Sequence, residues 1–320
     1  MSAATSGRIV VTGAGGFLGR HVVPVLQKRY GCDRVTGLSS VDYDLTDPHA
    51  VRRLFEDHRP GVVVHMAGYV GGIGANRAWP ADFFHRNLTM MANVFQAAAA
   101  FQIGKLVYPM GGCSYPANAV SPIGEDQMWE GYPQPDSAAY SSAKKMGIVA
   151  SEAYRQQHGL NSVVIVPGNM YGEYDNFRVS ESHVVPGLIR RFFEAAAAAV
   201  PEVACWGTGS PTRDFVYVQD VARCIPYFIE EYDSSEPVNI SSGTTTSIRE
   251  LAGNIGDLVG YRGRLVWDAA KPDGQKFKIF DVKRLKGLGL SCDTPLREGL
   301  ERTVAWFAAN YSSRTDGIRL

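Results

Sequence analysis

The apolar positions of the chain alternate between two periods. Short β-branched runs at residues 8–12, 34–38, 62–66, 105–109 and 162–166 are separated by stretches in which apolar residues recur three or four apart. A strand covered on both faces is apolar at nearly every position, whereas a helix needs only one stripe against a sheet. The pattern therefore predicts buried strands in those runs and helices over 17–29, 48–57, 87–101 and 139–158. Strand–helix–strand alternation builds parallel pairs through right-handed crossovers, so the first half of the chain reads as a Rossmann-type doubly wound α/β sheet, with six parallel strands by Val166. After Asn176 the alternation weakens into loops and helices around the Gly/Pro-rich turn at residues 206–213. Strands are expected at 214–218 and 237–240, returning to the main sheet. A helix at 248–259 carries a capping box in Ser247 and Glu250. The alanine run 195–199 reads as a helix interior, and residues 312–320 as a frayed tail.

The first strand runs straight into Gly13, Gly16 and Gly19, and then into a helix. Glycines three apart let the backbone approach a pyrophosphate while the helix start offers unpaired amides. Contacts to a dinucleotide are expected from Gly13, Gly16, Phe17, Leu18 and Gly19, and from Ala67 behind the turn. The second strand selects the cofactor. An NAD site usually ends that strand with an acidic residue for the ribose hydroxyls, and here Leu38, Ser39 and Ser40 stand in its place. NADPH is therefore favoured, with Ser39, Ser40 or a nearby arginine facing the 2′-phosphate, and NAD remains possible. Asp44 and Leu45 are placed to lie under the adenine; as an alternative, Asp44 belongs to a turn or cap before Pro48. Residues 1–178 are then the dinucleotide-binding domain, with returning segments near 214–243, and residues 179–213 and 244–320 a smaller C-terminal substrate domain.

Bulk composition narrows the class. At 320 residues and 45% hydrophobic the chain has ample material for a core. Thirty-two basic residues balance thirty-two acidic ones, which excludes the field that concentrates nucleic acid or anionic lipid. No apolar run approaches a membrane span, and the first seven residues are too short and polar for a signal peptide, so the expected place is the cytoplasm. Five scattered cysteines without a Cys-x-x-Cys pair fit reduced thiols and suggest no metal site.

Tyr140 and Lys144 lie one helical turn apart on one face, where the ammonium is expected to lower the phenol's pKa and make it a proton donor. Many amphipathic helices carry such a pair with the ring in the core and the ammonium in water. Cys113 follows the strand at 105–109, on the carboxyl edge where open α/β sheets bind ligands. His183 lies in the run leading into the smaller domain. A free cysteine is commonly a small hydrophobe and a lone histidine a satisfied polar group; it is their placement that makes them a second acid/base pair. One site would then move both a hydride and a carbon-bound proton.

With these residues in view, the chain resembles the extended short-chain dehydrogenase/reductase superfamily. Its longer strings, Val70 to Asn76, Asp175 to Phe177, Ser182 to Pro186, Trp206 to Gly209 with Arg213, and Lys271 to Gly274, resemble the GDP-L-fucose synthase family over nearly the whole chain. That resemblance implies an NADPH-dependent homodimer acting on a GDP-4-keto-6-deoxy sugar. It implies that Tyr140 and Lys144 serve hydride transfer, that Cys113 and His183 move protons at C3 and C5, and that Arg213 meets the substrate. Ser114, Asn169, Asn176, Arg191, Trp206, Lys271 and Asp273 are further substrate candidates. The family's serine two residues before the cysteine, which hydrogen-bonds the C4 oxygen, is here Gly111, followed by Gly112. Losing such a donor typically costs ~10²–10³ in rate, so Ser114, Ser141 or a water would have to replace it. Gly168 stands where the family has threonine, which with Gly111 implies a bulkier substrate. Gly111 also admits an alternative: a redox-neutral GDP-hexose 3- or 5-epimerase that keeps its NAD(P). A non-catalytic cofactor-binding protein is the third reading.

Overall fold

The computed structural model describes residues 7–179, 181–270 and 277–311. In chain order the elements are β1 (Arg8–Thr12), α1 (Phe17–Tyr30), β2 (Val35–Leu38), α2 (Pro48–His58), β3 (Pro60–His65), α3 (Ile73–Ala78), α4 (Pro80–Ala100), β4 (Lys105–Pro109), α5 (Ala138–His158), β5 (Ser162–Pro167) and β6 (Asn169–Tyr171). The chain continues with α6 (Val184–Ala197), β7 (Glu202–Trp206), β8 (Thr212–Arg213), β9 (Phe215–Tyr217), α7 (Val218–Glu230), β10 (Val238–Ile240), β11 (Thr246–Ser247), α8 (Ile248–Leu258), β12 (Arg264–Asp268), β13 (Phe277–Lys278), α9 (Lys283–Gly287) and α10 (Leu296–Asn310).

Six strands form one parallel sheet in the order β10-β5-β4-β3-β1-β2. The order reverses between β1 and β3, so a crevice opens beyond their carboxyl ends. Alternate residues of β1 point to opposite layers. Ile9 and Val11 pack with Val22 of α1 and Phe228 of α7, while Val10 packs with Phe55 of α2 and Phe95 of α4. Each such fully buried aliphatic side chain contributes about 1.5–3 kcal/mol. A third apolar cluster, including Phe177, Phe192, Leu251 and Phe307, joins α6, α8 and α10 beyond the sheet.

The parallel, helix-covered sheet matches the sequence reading, with four differences in the elements. Five parallel strands, not six, are complete by Pro167; the sixth is β10, which returns beside β5. The strand expected to return near 214–218 does not reach that sheet: β9 pairs with β6, because Asn169–Tyr171 leaves β5 and carries its own partner. The alanine run ends α6 instead of lying inside it, since Ala199 has φ +49°. Helix α4 also starts at Pro80, ahead of the expected residue 87, because proline's fixed φ suits a first helical position. The capping reading of Ser247 holds, its hydroxyl accepting from the Glu250 amide at 3.0 Å. The tail at 312–320 lies outside the described residues. Among the described residues no helix is long and apolar enough to cross a membrane.

Candidate active site

The turn between β1 and α1 depends on absent side chains. Gly13 has φ +67°, and a Cβ there would stand 2.5 Å from the Ala67 amide nitrogen. A Cβ on Gly19 would fall on the Gly13 carbonyl oxygen, the same oxygen that accepts from the Gly16 amide at 2.9 Å. Over Gly15 no atom lies within 4 Å of an added Cβ. The start of α1 has neither a side-chain cap nor an acidic residue in its first turn, so its amides and the helix dipole remain available to an anion. Leu18 packs into the core and leaves only its backbone for this purpose, while Phe17 is partly buried against the same cluster. Gly19→Ala is expected to strain the turn by about 1–3 kcal/mol, weakening NADPH binding roughly 10- to 100-fold in a fluorescence titration.

Beside the turn lies an open cleft of about 420 Å³ whose lining includes Gly15, Arg20, Gly37, Ser39 and Asp42. The Ser39 amide and hydroxyl donate to the Asp42 carboxylate at 2.8 and 2.9 Å, and these bonds hold Asp42 below the usual carboxylate range. Sequence reading missed Asp42 because it lies beyond the strand end and is folded back by a turn, its amide donating to the Ser39 carbonyl at 3.1 Å. Arg20, fixed by the Gly15 carbonyl at 3.0 Å and by the Tyr174 ring at 5.1 Å, is the cation of this cleft. The uncapped helix start, a cradle that any Cβ would fill and one arginine at the second-strand end together fit NADP(H). Ser40 is exposed on the same turn. Asp44 accepts from the Thr46 amide and hydroxyl at 2.9 and 2.7 Å, the turn foreseen as its alternative role, and Leu45 is buried.

Cys113 sits in a single helical turn, Gly112–Ser114, directly after β4. Two contacts fix that turn. The Ser114 hydroxyl donates to the Ser141 carbonyl of α5 at 3.0 Å, and the Phe280 ring packs so closely on Gly112 that a Cβ would stand 2.5 Å from it. Cys113 is half-buried, whereas Cys205, Cys224 and Cys292 are buried and Cys32 is on the surface. The three atoms nearest a Cβ built on Gly111 are Cys113 Sγ at 3.1 Å and Tyr140 Cε1 and Oη at 3.5 and 3.6 Å. Thiol and phenol thus flank the place where a side chain is missing.

Burial, then the nearby charges of Cys113 and Tyr108, pushes the Tyr140 phenol well up. The ammonium was expected to lower it. Burial also brings Lys144 down to about 7, against the opposing influence of Cys113, so the field of its ammonium is weakened at neutral pH and does not outweigh the burial of the phenol. A phenol that keeps its proton is the form that donates one. His183 caps α6. The preceding Glu181 carbonyl accepts from the Gly72 amide at 3.0 Å, and a Cβ on Gly72 would collide with the Glu181 and Ser182 carbonyls. His183 is exposed as a residue, and the protein around its imidazole lowers its pKa by desolvation. Among the described residues it makes no hydrogen bond to Cys113 or Tyr140.

Other candidates divide. Ser114 is a correction: fully buried, with its one proton committed to Ser141, it does not face the site. Ser141 is equally buried and bonded to Ser137 at 3.3 Å, so neither serine replaces the hydroxyl absent at Gly111. Gly112 and Gly168 do not enlarge the site either, because the Phe280 ring and the Ser241 hydroxyl occupy their side-chain space. Asn169 donates to the Asp214 carbonyl at 2.9 Å and so braces the residue next to Arg213, whose guanidinium is destabilised by burial. Arg191 reaches from α6 to the Ala204 carbonyl at 3.0 Å, near Trp206, which is 67% exposed. Asn176 closes a local turn by accepting from the Arg178 amide at 3.1 Å. Lys271 and Asp273 lie outside the described residues. Lys278, absent from the sequence reading, pairs with Arg213 across β8 and β13 and lies close enough to Cys113 to feel its charge; only the strand register reveals it.

Residues 9–241 match the model of the NAD dependent epimerase/dehydratase family. The chain belongs to that family. Within it, a probable GDP-L-fucose synthase 1 from Oryza sativa is 39% identical over 96% of this chain and 94% of its own length. GDP-L-fucose synthase from Escherichia coli is 36% identical over 95% of this chain and 97% of its own. Among solved structures, a GDP-L-fucose synthetase from Naegleria fowleri bound to NADP superposes with a TM-score of 0.88 at 29% identity, covering 97% of this chain and 95% of that one. A GDP-6-OMe-4-keto-L-xylo-heptose reductase from C. jejuni gives 0.88 at 26% identity, covering 96% and 99%. This epimerase/dehydratase family member is therefore similar to both groups over nearly its whole length, and its cysteine follows the carboxyl end of β4, with the phenol and lysine on α5.

Proposed function

We propose that the protein is an NADPH-dependent epimerase and 4-reductase of a GDP-4-keto-6-deoxy sugar, like the GDP-L-fucose synthases it is similar to. The observation that carries this reading is the juxtaposition of Cys113 and Tyr140 around side-chain-free Gly111. A C4 ketone acidifies the hydrogens on C3 and C5, so a base on one face of the sugar and an acid on the other invert a carbon through an enolate. Cys113 and His183 take those parts. When bound, NADPH supplies the hydride that fixes the new configuration. Tyr140 donates its proton to the C4 oxygen, and Lys144 orients the nicotinamide ribose. Arg20 faces the 2′-phosphate, while Ser39 holds Asp42 in place beside it, and Arg213, Asn169, Trp206 and Arg191 face the GDP-sugar, with Lys278 completing the cationic side.

The proposal extends to a split between the sheet domain and a C-terminal substrate unit, supported by the separate third cluster around α6, α8 and α10. It extends to a homodimer through α4 and α5, supported by Phe84 and Val149 standing exposed on those helices, and to a reducing cytoplasmic setting, supported by five free thiols.

Supplied with GDP- and dTDP-4-keto-6-deoxy sugars and NADPH, the enzyme is expected to consume one NADPH per GDP-sugar converted. Conversion without loss of the nicotinamide absorbance would replace this reading with the redox-neutral epimerase. The pH profile carries a second expectation. Lys144 is charged below about 7 and loses its proton above it, so turnover that needs the ammonium falls as pH rises through neutrality, far below the ordinary lysine value of 10.5. Initial rates across pH check this.

A further inference from the structure

Thr12, His65 and Tyr108 stand at one level of three neighbouring strands. Thr12 pairs with His65 between β1 and β3, and Val64 with Val107 between β3 and β4, so the next residues along, His65 and Tyr108, adjoin. Their side chains follow the register. Thr12 Oγ1 and His65 Nδ1 are 2.9 Å apart, and the His65 ring lies 18° from parallel to the Tyr108 ring at 5.8 Å between centroids. All three are at most 2% exposed. At the far end the row meets α5, where Gly147 admits it: any Cβ there would overlap the Tyr108 ring. One turn earlier on α5, Lys144 holds its Nζ 4.2 Å from the centre of that ring. A buried row thus runs from the residue before the glycine turn to the lysine.

The chemistry proposed above does not use this row. The Tyr108 hydroxyl reaches only the Lys144 backbone carbonyl, at 3.4 Å, so the ring face is its substantial contribution. Three groups lie near the Lys144 amine, Cys113 from the turn after β4, Tyr108 from β4 and His65 from β3, and Tyr140 stands one turn back on its own helix. Burial holds His65 at about 3, so it is neutral and serves as a flat support. Among the described residues the amine meets an aromatic face and no carboxylate, although it is only 5% exposed. An ammonium so placed needs stabilisation that water no longer supplies, and the negative face of an aromatic ring provides it.

We infer that Tyr108 is a positioning residue, holding the Lys144 ammonium at the cofactor ribose through its ring face, with Thr12 and His65 fixing the plane of the ring. The ribose part rests on the role proposed for Lys144; the ring's hold on the amine does not.

Replacing Tyr108 by phenylalanine and then by increasingly fluorinated phenylalanines keeps the shape while draining charge from the face. Titration of the Lys144 ε-carbon by NMR in the full-length protein, assigned from the spectrum of Lys144→Met, reads the result without turnover. The lysine should deprotonate at progressively lower pH along the series, by about one unit at its end. A midpoint that stays fixed overturns the inference. If the fluorinated proteins fail to fold, Gly147→Ala, which displaces the ring, should move the same midpoint downward, and an unmoved midpoint again overturns it. Native NADPH affinity in Lys144→Met would instead sink the ribose role while leaving the ring effect standing.

Discussion

Tyr140→Phe is expected to slow NADPH oxidation by about 10²–10⁴, toward the upper end of what a positioned proton donor supplies. Burial keeps the phenol protonated, so it is charged with its proton before the sugar arrives. Where a serine would share the C4 oxygen, Gly111 offers no hydroxyl, and Ser114 and Ser141 are committed elsewhere. The phenol is therefore the hydroxyl that stands beside Gly111, and neither serine substitutes for its loss. The phenylalanine ring keeps the edge contact that Tyr140 makes with Phe83, whose centroid is 6.1 Å away, so the fold and NADPH binding should survive. Stopped-flow decay of nicotinamide absorbance measures the hydride step; a loss under tenfold would remove Tyr140 from it.

Cys113→Ser is expected to reduce solvent deuterium incorporation into the sugar by about 10²–10⁴, because a serine hydroxyl is far too weakly acidic to give or take a proton at neutral pH. The turn itself should persist. Its geometry depends on Gly112 accepting the Phe280 ring and on the bond from Ser114 to α5, neither of which involves the sulfur. Mass spectrometry of sugar recovered from heavy water reads exchange apart from reduction. Unchanged labelling would mean that another group moves the proton.

Much of this was legible in the sequence because it depends on local spacing. The glycine turn, the strand-to-helix alternation and the one-turn separation of Tyr140 and Lys144 are each fixed within a few residues. What escaped depends on contacts between distant segments. Asp42 reaches the cofactor cleft only because a turn folds it back onto Ser39. Lys278 nears Cys113 only through pairing of β13 with β8, and Tyr108 nears Lys144 only because Gly147 leaves room. The expected lowering of the Tyr140 pKa failed for a related reason: spacing places two groups together but does not report how far water is excluded from both. Ser114 lies in the right stretch, yet its hydroxyl is bonded to α5, and Asn176 uses its side-chain oxygen to close a local turn.

The central claim is that one site both exchanges carbon-bound protons and delivers a hydride to the same sugar. Wild-type enzyme converting a GDP-4-keto-6-deoxy sugar with NADPH in heavy water tests it in one tube. The account predicts a reduced product carrying solvent deuterium at C3 and C5, protium from NADPH at C4, and one cofactor oxidised per molecule formed. Reduced sugar without solvent deuterium, or deuterated sugar with the cofactor unspent, would contradict it.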